Sequence, residues 1–190
     1  MNIPHSKALI LAGSLVLVLF LALCLAPCRV EVRTELLHWQ TDDPAVSGSC
    51  PAALTGTLYR RPFRGDVFRG TLSVAGLTEG WGAERCLIAF DGSCGKSAGS
   101  LYLLRGENDA PQATLWTVVC SPDWSELHLL FPPEGAVTAF SDPEDPAPAL
   151  LWSAEHSGVL SCPAGEREEA RASLLTLGGE IFPGLAAPAE

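Results

Sequence analysis

The feature that most constrains this sequence is one uninterrupted apolar stretch near its N-terminus, from Ala8 to Ala26. Its 19 residues include no charged side chain and no proline. As a helix the stretch would be roughly 28 Å long, close to the thickness of the hydrocarbon core of a bilayer. A helix satisfies its own backbone hydrogen bonds and is therefore stable in lipid. We predict a transmembrane helix over 8–26, within an N-terminal anchor of residues 1–28 that contacts the lipid bilayer.

Two other interpretations of this stretch remain open, a cleaved signal peptide and a lipidated cysteine. The apolar stretch is longer than a usual signal core, and no Ala-x-Ala cleavage site follows it. Lipidation at Cys24 or Cys28 would need a small residue just before the cysteine, where the sequence has Leu23 or Pro27. The pattern therefore favours an uncleaved anchor.

The residues that flank the stretch bear on its orientation. Lys7 lies on the N-terminal side, and Arg29 and Arg33 lie on the C-terminal side, so the positive-inside rule gives no strong answer. A very short N-terminal tail before a single apolar helix favours insertion with the tail inside. We therefore expect a single-pass protein of a cell membrane, with its folded domain outside the cytoplasm.

The remaining chain is acidic. The formal net charge is −10, and all 22 acidic residues lie beyond residue 30. Such a domain is a poor partner for nucleic acid, whose phosphates require lysine and arginine. The 15 prolines and 18 glycines indicate many turns and few long helices.

Residues 29–180 show a pattern of short strands separated by turn signals. The clearest part is Leu54–Leu77, where apolar and polar residues alternate on both sides of a turn, which indicates an antiparallel hairpin. Its inward-facing set would include Leu58, Phe68, Leu72 and Val74. The fold class is therefore mainly β, an antiparallel sheet or sandwich. Further strands are predicted over Arg29–Gln40, Cys86–Phe90, Ser100–Arg105, Ala113–Cys120, Glu126–Phe131, Ala136–Phe140 and Leu150–Ala154.

One helix is predicted after the strands, over residues 163–177. Ser161 is a suitable cap, and Pro163 suits an early helical position. The glycine pair that begins at Gly178 would end the helix. Residues 181–190, rich in proline and alanine, are expected to form a loose C-terminal tail.

No motif in the sequence marks a catalytic, cofactor-binding or metal site. The stretch Asp91–Ser97 ends in Gly-Lys-Ser, but the glycine that a phosphate-binding loop needs is replaced by Phe90, so we interpret it as a hairpin loop. No Cys-x-x-Cys pair and no pair of histidines at ligand spacing occurs. His128 alternates with leucines and is expected to face solvent.

The cysteines allow one specific disulfide. Cys86 and Cys94 flank a turn and could meet across it, which an oxidising compartment outside the cytoplasm would favour. Small buried thiols are an equally good interpretation of the cysteines.

Four arginines form the one basic cluster of the acidic domain: Arg60, Arg61, Arg64 and Arg69. Such a cluster is a possible contact for a partner or for anionic lipid headgroups. The simpler interpretation is that these arginines pair with carboxylates of the same domain.

Several segments resemble small uncharacterised membrane-anchored proteins of anaerobic Gram-positive bacteria. After the anchor, the resemblance is carried by Trp39-Gln-Thr-Asp-Asp-Pro44, Gly56-Thr-Leu-Tyr59 and the segment Phe63-Arg-Gly-Asp-Val-Phe-Arg-Gly-Thr-Leu72. It covers about residues 1–80 and implies a location in a bacterial envelope. It implies no activity and therefore no functional residue.

The sequence thus favours a non-enzymatic binding or assembly module of the envelope, with an envelope protein or polymer as its partner. The alternative is an extracytoplasmic hydrolase with an unmarked active site. An enzyme requires a concave pocket with converging titratable groups. A binding module should instead expose an apolar patch or the edge of a sheet.

Overall fold

The computed structural model describes residues 5–40, 45, 47–61, 64–75, 84–92, 98–104, 112–131, 137–139, 158–163 and 165–179. These residues form two helices and nine strands. In chain order the elements are α1 (His5–Leu25), β1 (Cys28–Gln40), β2 (Ser47–Tyr59), β3 (Val67–Val74), β4 (Glu84–Phe90), β5 (Ala98–Leu104), β6 (Gln112–Cys120), β7 (Leu127–Leu130), β8 (Val137–Ala139), β9 (Gly158–Cys162) and α2 (Arg167–Gly178).

Eight of the strands form a closed antiparallel barrel. Their order around it is β1, β2, β3, β4, β5, β6, β7 and β9, and β9 returns to pair with β1. The short strand β8 pairs with the beginning of β6. The predicted mainly β, antiparallel class is therefore confirmed. The strands form one sheet closed on itself rather than two stacked layers, because both the β5–β6 and the β1–β9 pairings are made.

Side chains fill the inside of the barrel. Along β4, Cys86, Ile88 and Phe90 belong to the interior cluster, while Leu87 and Ala89 lie in a second buried cluster on the other face. This alternation follows from the period of two along a strand. Both faces of β4 are buried, which explains why its sequence is an apolar run rather than an alternating one.

The predicted hairpin is confirmed as β2 and β3. Of the predicted inward set, Phe68, Leu72 and Val74 belong to the interior cluster, and Leu58 packs against it. Gly56 and Gly70 lie opposite each other on the two strands, and the ring of Phe68 lies against both. A Cβ atom on Gly70 would collide with the carbonyl oxygen of Thr55 and lie 2.7 Å from Phe68 Cζ. The two glycines therefore make room for this ring.

The C-terminal helix begins later than predicted. Ser161 and Cys162 belong to β9, a strand that the sequence pattern did not reveal, and α2 begins at Arg167 instead of residue 163. Ser161 pairs with both Leu37 and His128 in the sheet, so it cannot cap the helix. The position before the helix is held by Glu166, which makes no side-chain capping bond.

Helix α2 packs on the outside of the barrel. Ala170 and Leu174 are buried against a cluster that includes Trp39 on β1, Val119 on β6 and Leu130 on β7. The guanidinium of Arg167 lies 5.9 Å from the centre of the Trp39 ring. The helix thereby covers an outward-facing apolar stripe that crosses several strands.

The N-terminal helix α1 runs from His5 to Leu25, close to the predicted range 8–26. In the part of the chain that the structure describes, no helix combines the length and apolarity needed to cross a membrane. The predicted transmembrane helix is therefore not found there. The strand predicted over Leu150–Ala154 and the tail 181–190 lie outside the described residues.

We expect Gly70→Ala to lower the free energy of unfolding by about 1–3 kcal/mol, because the added methyl group overpacks the contact with Phe68 and β2. Urea denaturation of the two proteins measures this difference. The matched control is Gly48→Ala, whose added Cβ meets no atom within 4 Å. The control should change stability by no more than about 0.5 kcal/mol. Equal effects of the two substitutions would show that the close approach at Gly70 is not made.

Candidate binding groove

Strand β1 is paired unequally on its two sides. Its contact with β2 extends from Cys28 to Trp39, whereas its contact with β9 covers only Leu37–Gln40. β9 ends at Cys162, and the next residue, Pro163, has no N–H group with which to continue the ladder. Among the described residues, no strand pairs with the second side of β1 between Arg29 and Leu36.

A groove of about 440 Å³ lies along this free edge. Arg29–Thr34 of β1 line one wall, and Asp123–Ser125, in the turn between β6 and β7, line the other. Thr34 Oγ1 lies 2.8 Å from Cys162 Sγ, at the point where β1 and β9 separate. The groove is thus a local gap between the first part of β1 and the turn between β6 and β7, next to the end of β9.

Asp123 gives the groove a fixed negative charge. Its carboxylate accepts hydrogen bonds from Ser121 Oγ and Ser125 Oγ, both at 2.7 Å, and from the Ser125 N–H at 3.2 Å. These bonds to the charged form lower the pKa of Asp123 to about 2. Ser121 Oγ also accepts the Glu126 N–H at 2.9 Å, which ties the turn to β7. The turn is therefore held in place by hydrogen bonds, and the Asp123 carboxylate stays ionised at neutral pH.

Trp124, at the centre of this turn, separates the groove from the barrel interior. Its backbone has a positive φ of 63°, and its ring packs against Phe68 and Phe90, with centroid distances of 5.5 and 5.8 Å. A cavity of about 80 Å³ beside this ring is also lined by Arg60 and Asp66. A volume of that size admits a few water molecules rather than a large ligand.

The outward face of β1 carries charges of alternating sign. Arg29, Glu31, Arg33 and Glu35 are all exposed. Glu31 lies between the two arginines, 3.7 Å from Arg29 Nη2 and 3.0 Å from Arg33 Nη2. Ion pairs this exposed contribute little to stability, so the pattern is not needed for the fold.

The predicted arginine cluster lies on the β2–β3 hairpin. Arg60, Arg61 and Arg64 lie in the connection from β2 to β3, whereas Arg69 lies within β3. Arg61 is engaged within its own loop, because its Nε donates to the Gly65 carbonyl at 2.9 Å and its N–H to Asp66 Oδ1 at 3.2 Å. None of the four lines the groove beside β1. Their contact with a partner or with lipid stays a prediction.

Cys86 is a free thiol inside the barrel. Burial, together with the nearby Glu84 carboxylate, raises its pKa to about 12. Burial likewise raises the pKa of the Cys120 thiol to about 12. Neither group is a nucleophile at neutral pH. Cys94 lies outside the described residues, but because Cys86 is free, the predicted Cys86–Cys94 disulfide is not formed in this structure.

The expectation that His128 faces solvent is wrong. Its side chain is buried beneath α2, where both ring nitrogens are hydrogen-bonded. Nδ1 lies 2.9 Å from Ser161 Oγ, and Nε2 lies 2.9 Å from Ser173 Oγ on α2. The alternation with leucines correctly indicates a strand, but the outer face of β7 is covered by the helix. Only the packing of α2 reveals this.

The partners of His128 fix its tautomer. Ser173 Oγ donates to Glu126 Oε2 at 2.7 Å, so it accepts from Nε2–H. With the proton of the neutral ring on Nε2, Nδ1 is an acceptor, so Ser161 Oγ donates to Nδ1 while it accepts from Trp39 Nε1–H at 2.9 Å. The network is complete with a neutral imidazole, and burial lowers the pKa of His128 to about 4.

This network resembles a nucleophile–base pair only in the distance between Ser161 and His128. Both side chains are 0% exposed, so no substrate can reach them. The described residues also contain no group of three histidine, cysteine, aspartate or glutamate side chains arranged to hold a metal ion. The network therefore serves to fasten α2 to the barrel.

Comparison of the chain with protein-family models, with curated proteins and with solved structures finds no match.

We expect the free energy of unfolding to fall as the pH is lowered from about 6.5 to about 4. The folded state holds His128 neutral, whereas the unfolded chain binds a proton near pH 6.5. Its stabilising contribution is thus complete above pH 6.5 and is lost as the pH falls towards the folded pKa. Between pH 7 and pH 4.5 the loss should be roughly 2–3 kcal/mol.

Denaturant titrations of the wild type and of His128→Gln at the two pH values measure this contribution. The variant should lack that part of the pH dependence, even though it is less stable at pH 7. An identical pH dependence in both proteins would mean that His128 is not held neutral beneath α2.

Proposed function

We propose that this protein is a non-enzymatic binding or assembly module at a cell membrane, and that it binds an extended polypeptide segment along the free edge of β1. The observation that carries the proposal is the groove between Arg29–Thr34 and Asp123–Ser125. An unpaired strand edge presents N–H and C=O groups that an added strand can satisfy. The ionised walls of the groove then select which segment binds.

The titratable groups of the groove support binding rather than acid–base catalysis. Arg29 and Arg33 carry guanidinium groups, which donate hydrogen bonds and have no acceptor atom. Asp123 is held ionised by its hydrogen bonds, and Glu31 lies between the two arginines. Catalysis would instead be favoured by a group with a pKa near the working pH. The hydrolase alternative has no comparable support.

The exposure of α1 supports attachment to a membrane. Large apolar side chains lie exposed all around this helix, with Ile10 at 70% and Val16 at 66%. Large apolar side chains that are exposed on a helix are stabilised by an apolar environment. Lipid would supply it, and the bilayer would then contact the chain through residues 8–26. The proposed location is a bacterial envelope, with the barrel outside the cytoplasm.

A photo-crosslinking amino acid at position 125 tests the proposal. Ser125 is exposed on the wall of the groove. The matched control places the same amino acid at Thr176, which is exposed on α2 away from the groove. We expect irradiation of intact cells to give an adduct from position 125 and none from position 176. Equal adducts from both positions, or none from position 125, would contradict binding in the groove.

The same cells test the location. The protein and its adduct should sediment with the membrane fraction, and an impermeant thiol reagent should label Cys28 before lysis. The mass of the purified protein distinguishes an uncleaved anchor from a cleaved or lipidated N-terminus. Recovery of the protein in the soluble fraction, or labelling only after lysis, would contradict the proposed location.

A further inference from the structure

We infer that the segment that binds in the groove is β1 of a second copy of this chain, paired antiparallel about a two-fold axis at Val32. The inference rests on the proposed function, because it names the partner of the same edge. It starts from the order of charges on the exposed face of β1, which is positive, negative, positive, negative from Arg29 to Glu35.

Antiparallel pairing of this segment with itself brings opposite charges together. With Val32 opposite Val32 of the second copy, Arg29 lies opposite Glu35 and Glu31 lies opposite Arg33. The two-fold axis makes each of these pairs twice. Directly opposed residues on one face of an antiparallel pair are the closest side-chain neighbours across the strands. All four charged residues of the edge are therefore matched.

Other registers match the charges less well. A two-fold axis at Glu31 or at Arg33 opposes like charges at the axis itself. An axis at Val30 leaves Glu35 without a charged residue opposite it. An axis at Thr34 places Glu31 opposite Leu37, a residue that already pairs with β9. The register centred on Val32 is thus the one that the sequence of the edge favours.

The connection to α1 is compatible with this arrangement. Only Ala26 and Pro27 separate the end of α1 from the start of β1, and the chain bends at Ala26. Two copies attached to one membrane share the axis when it lies along the membrane normal and β1 runs parallel to the surface. Confinement to one surface then raises the effective concentration of each edge for the other.

Two complementary charge variants test the inference on the full-length protein in detergent. In a dimer of Glu31→Arg the introduced arginine would oppose Arg33 of the other copy, and in a dimer of Arg33→Glu the introduced glutamate would oppose Glu31. Each variant alone should dimerise at least about tenfold more weakly than the wild type in sedimentation velocity. An equimolar mixture should form heterodimers to within about threefold of the wild-type affinity, because the opposed charges at these two positions attract again.

The matched control is Arg60→Glu, which makes the same charge change on an exposed residue outside β1. It should dimerise like the wild type. Recovery of the dimer in the mixture also shows that both variants are folded. A wild type that stays monomeric up to about 100 µM, or a mixture that dimerises no better than the single variants, would overturn the inference.

The crosslink from position 125 distinguishes failure of this inference from failure of the proposed function. An adduct of twice the chain mass supports a second copy. An adduct of any other mass overturns the inference while leaving the proposed binding in the groove intact. The absence of an adduct would contradict both the inference and the proposed binding in the groove.

Discussion

The pairing of β1 with β9 is the interaction on which the rest of the structure depends. It joins the first and last strands of the barrel through only four opposed residue pairs, from Leu37–Ser161 to Gln40–Gly158. Without it the eight strands would form an open sheet with β1 and β9 as its two edges. The pairing stops at Ser161, one residue before the end of β9, and the remaining part of β1 is left with an open side. The closure of the barrel and the presence of the groove are therefore both consequences of the short pairing between β1 and β9.

Helix α2 reinforces this contact from outside. Trp39 on β1 donates a hydrogen bond to Ser161 on β9, and Ser161 is linked through His128 to Ser173 on the helix. The helix also buries Ala170 and Leu174 over the same strands. Each polar hydrogen of the network has an acceptor only when the imidazole is neutral. The stability of the closure thus depends on the burial of a single histidine.

The local pattern of apolar and polar residues was sufficient to predict part of this fold. The alternation from Leu54 to Leu77 predicts the β2–β3 hairpin and its inward-facing side chains, because a strand repeats every two residues whatever its partners are. It was not sufficient for β9 or for the start of α2, because Ser161 and Pro163 suit a helix start as well as the end of a strand. The groove was beyond prediction from the sequence. It exists only because Leu37 pairs with Ser161, a contact that depends on how the whole barrel closes.

Hydrogen–deuterium exchange of the β1 amides in the full-length protein tests the central claim, that the edge from Arg29 to Leu36 is open and accepts a strand. In dilute protein, the amides in this range that point away from β2 should exchange quickly, and their neighbours bonded to β2 slowly. The fast amides should become protected as the protein concentration rises, while Leu37–Gln40 should not change. Slow exchange along all of β1 at every concentration would contradict the account, because it would show that the edge is already covered within one chain.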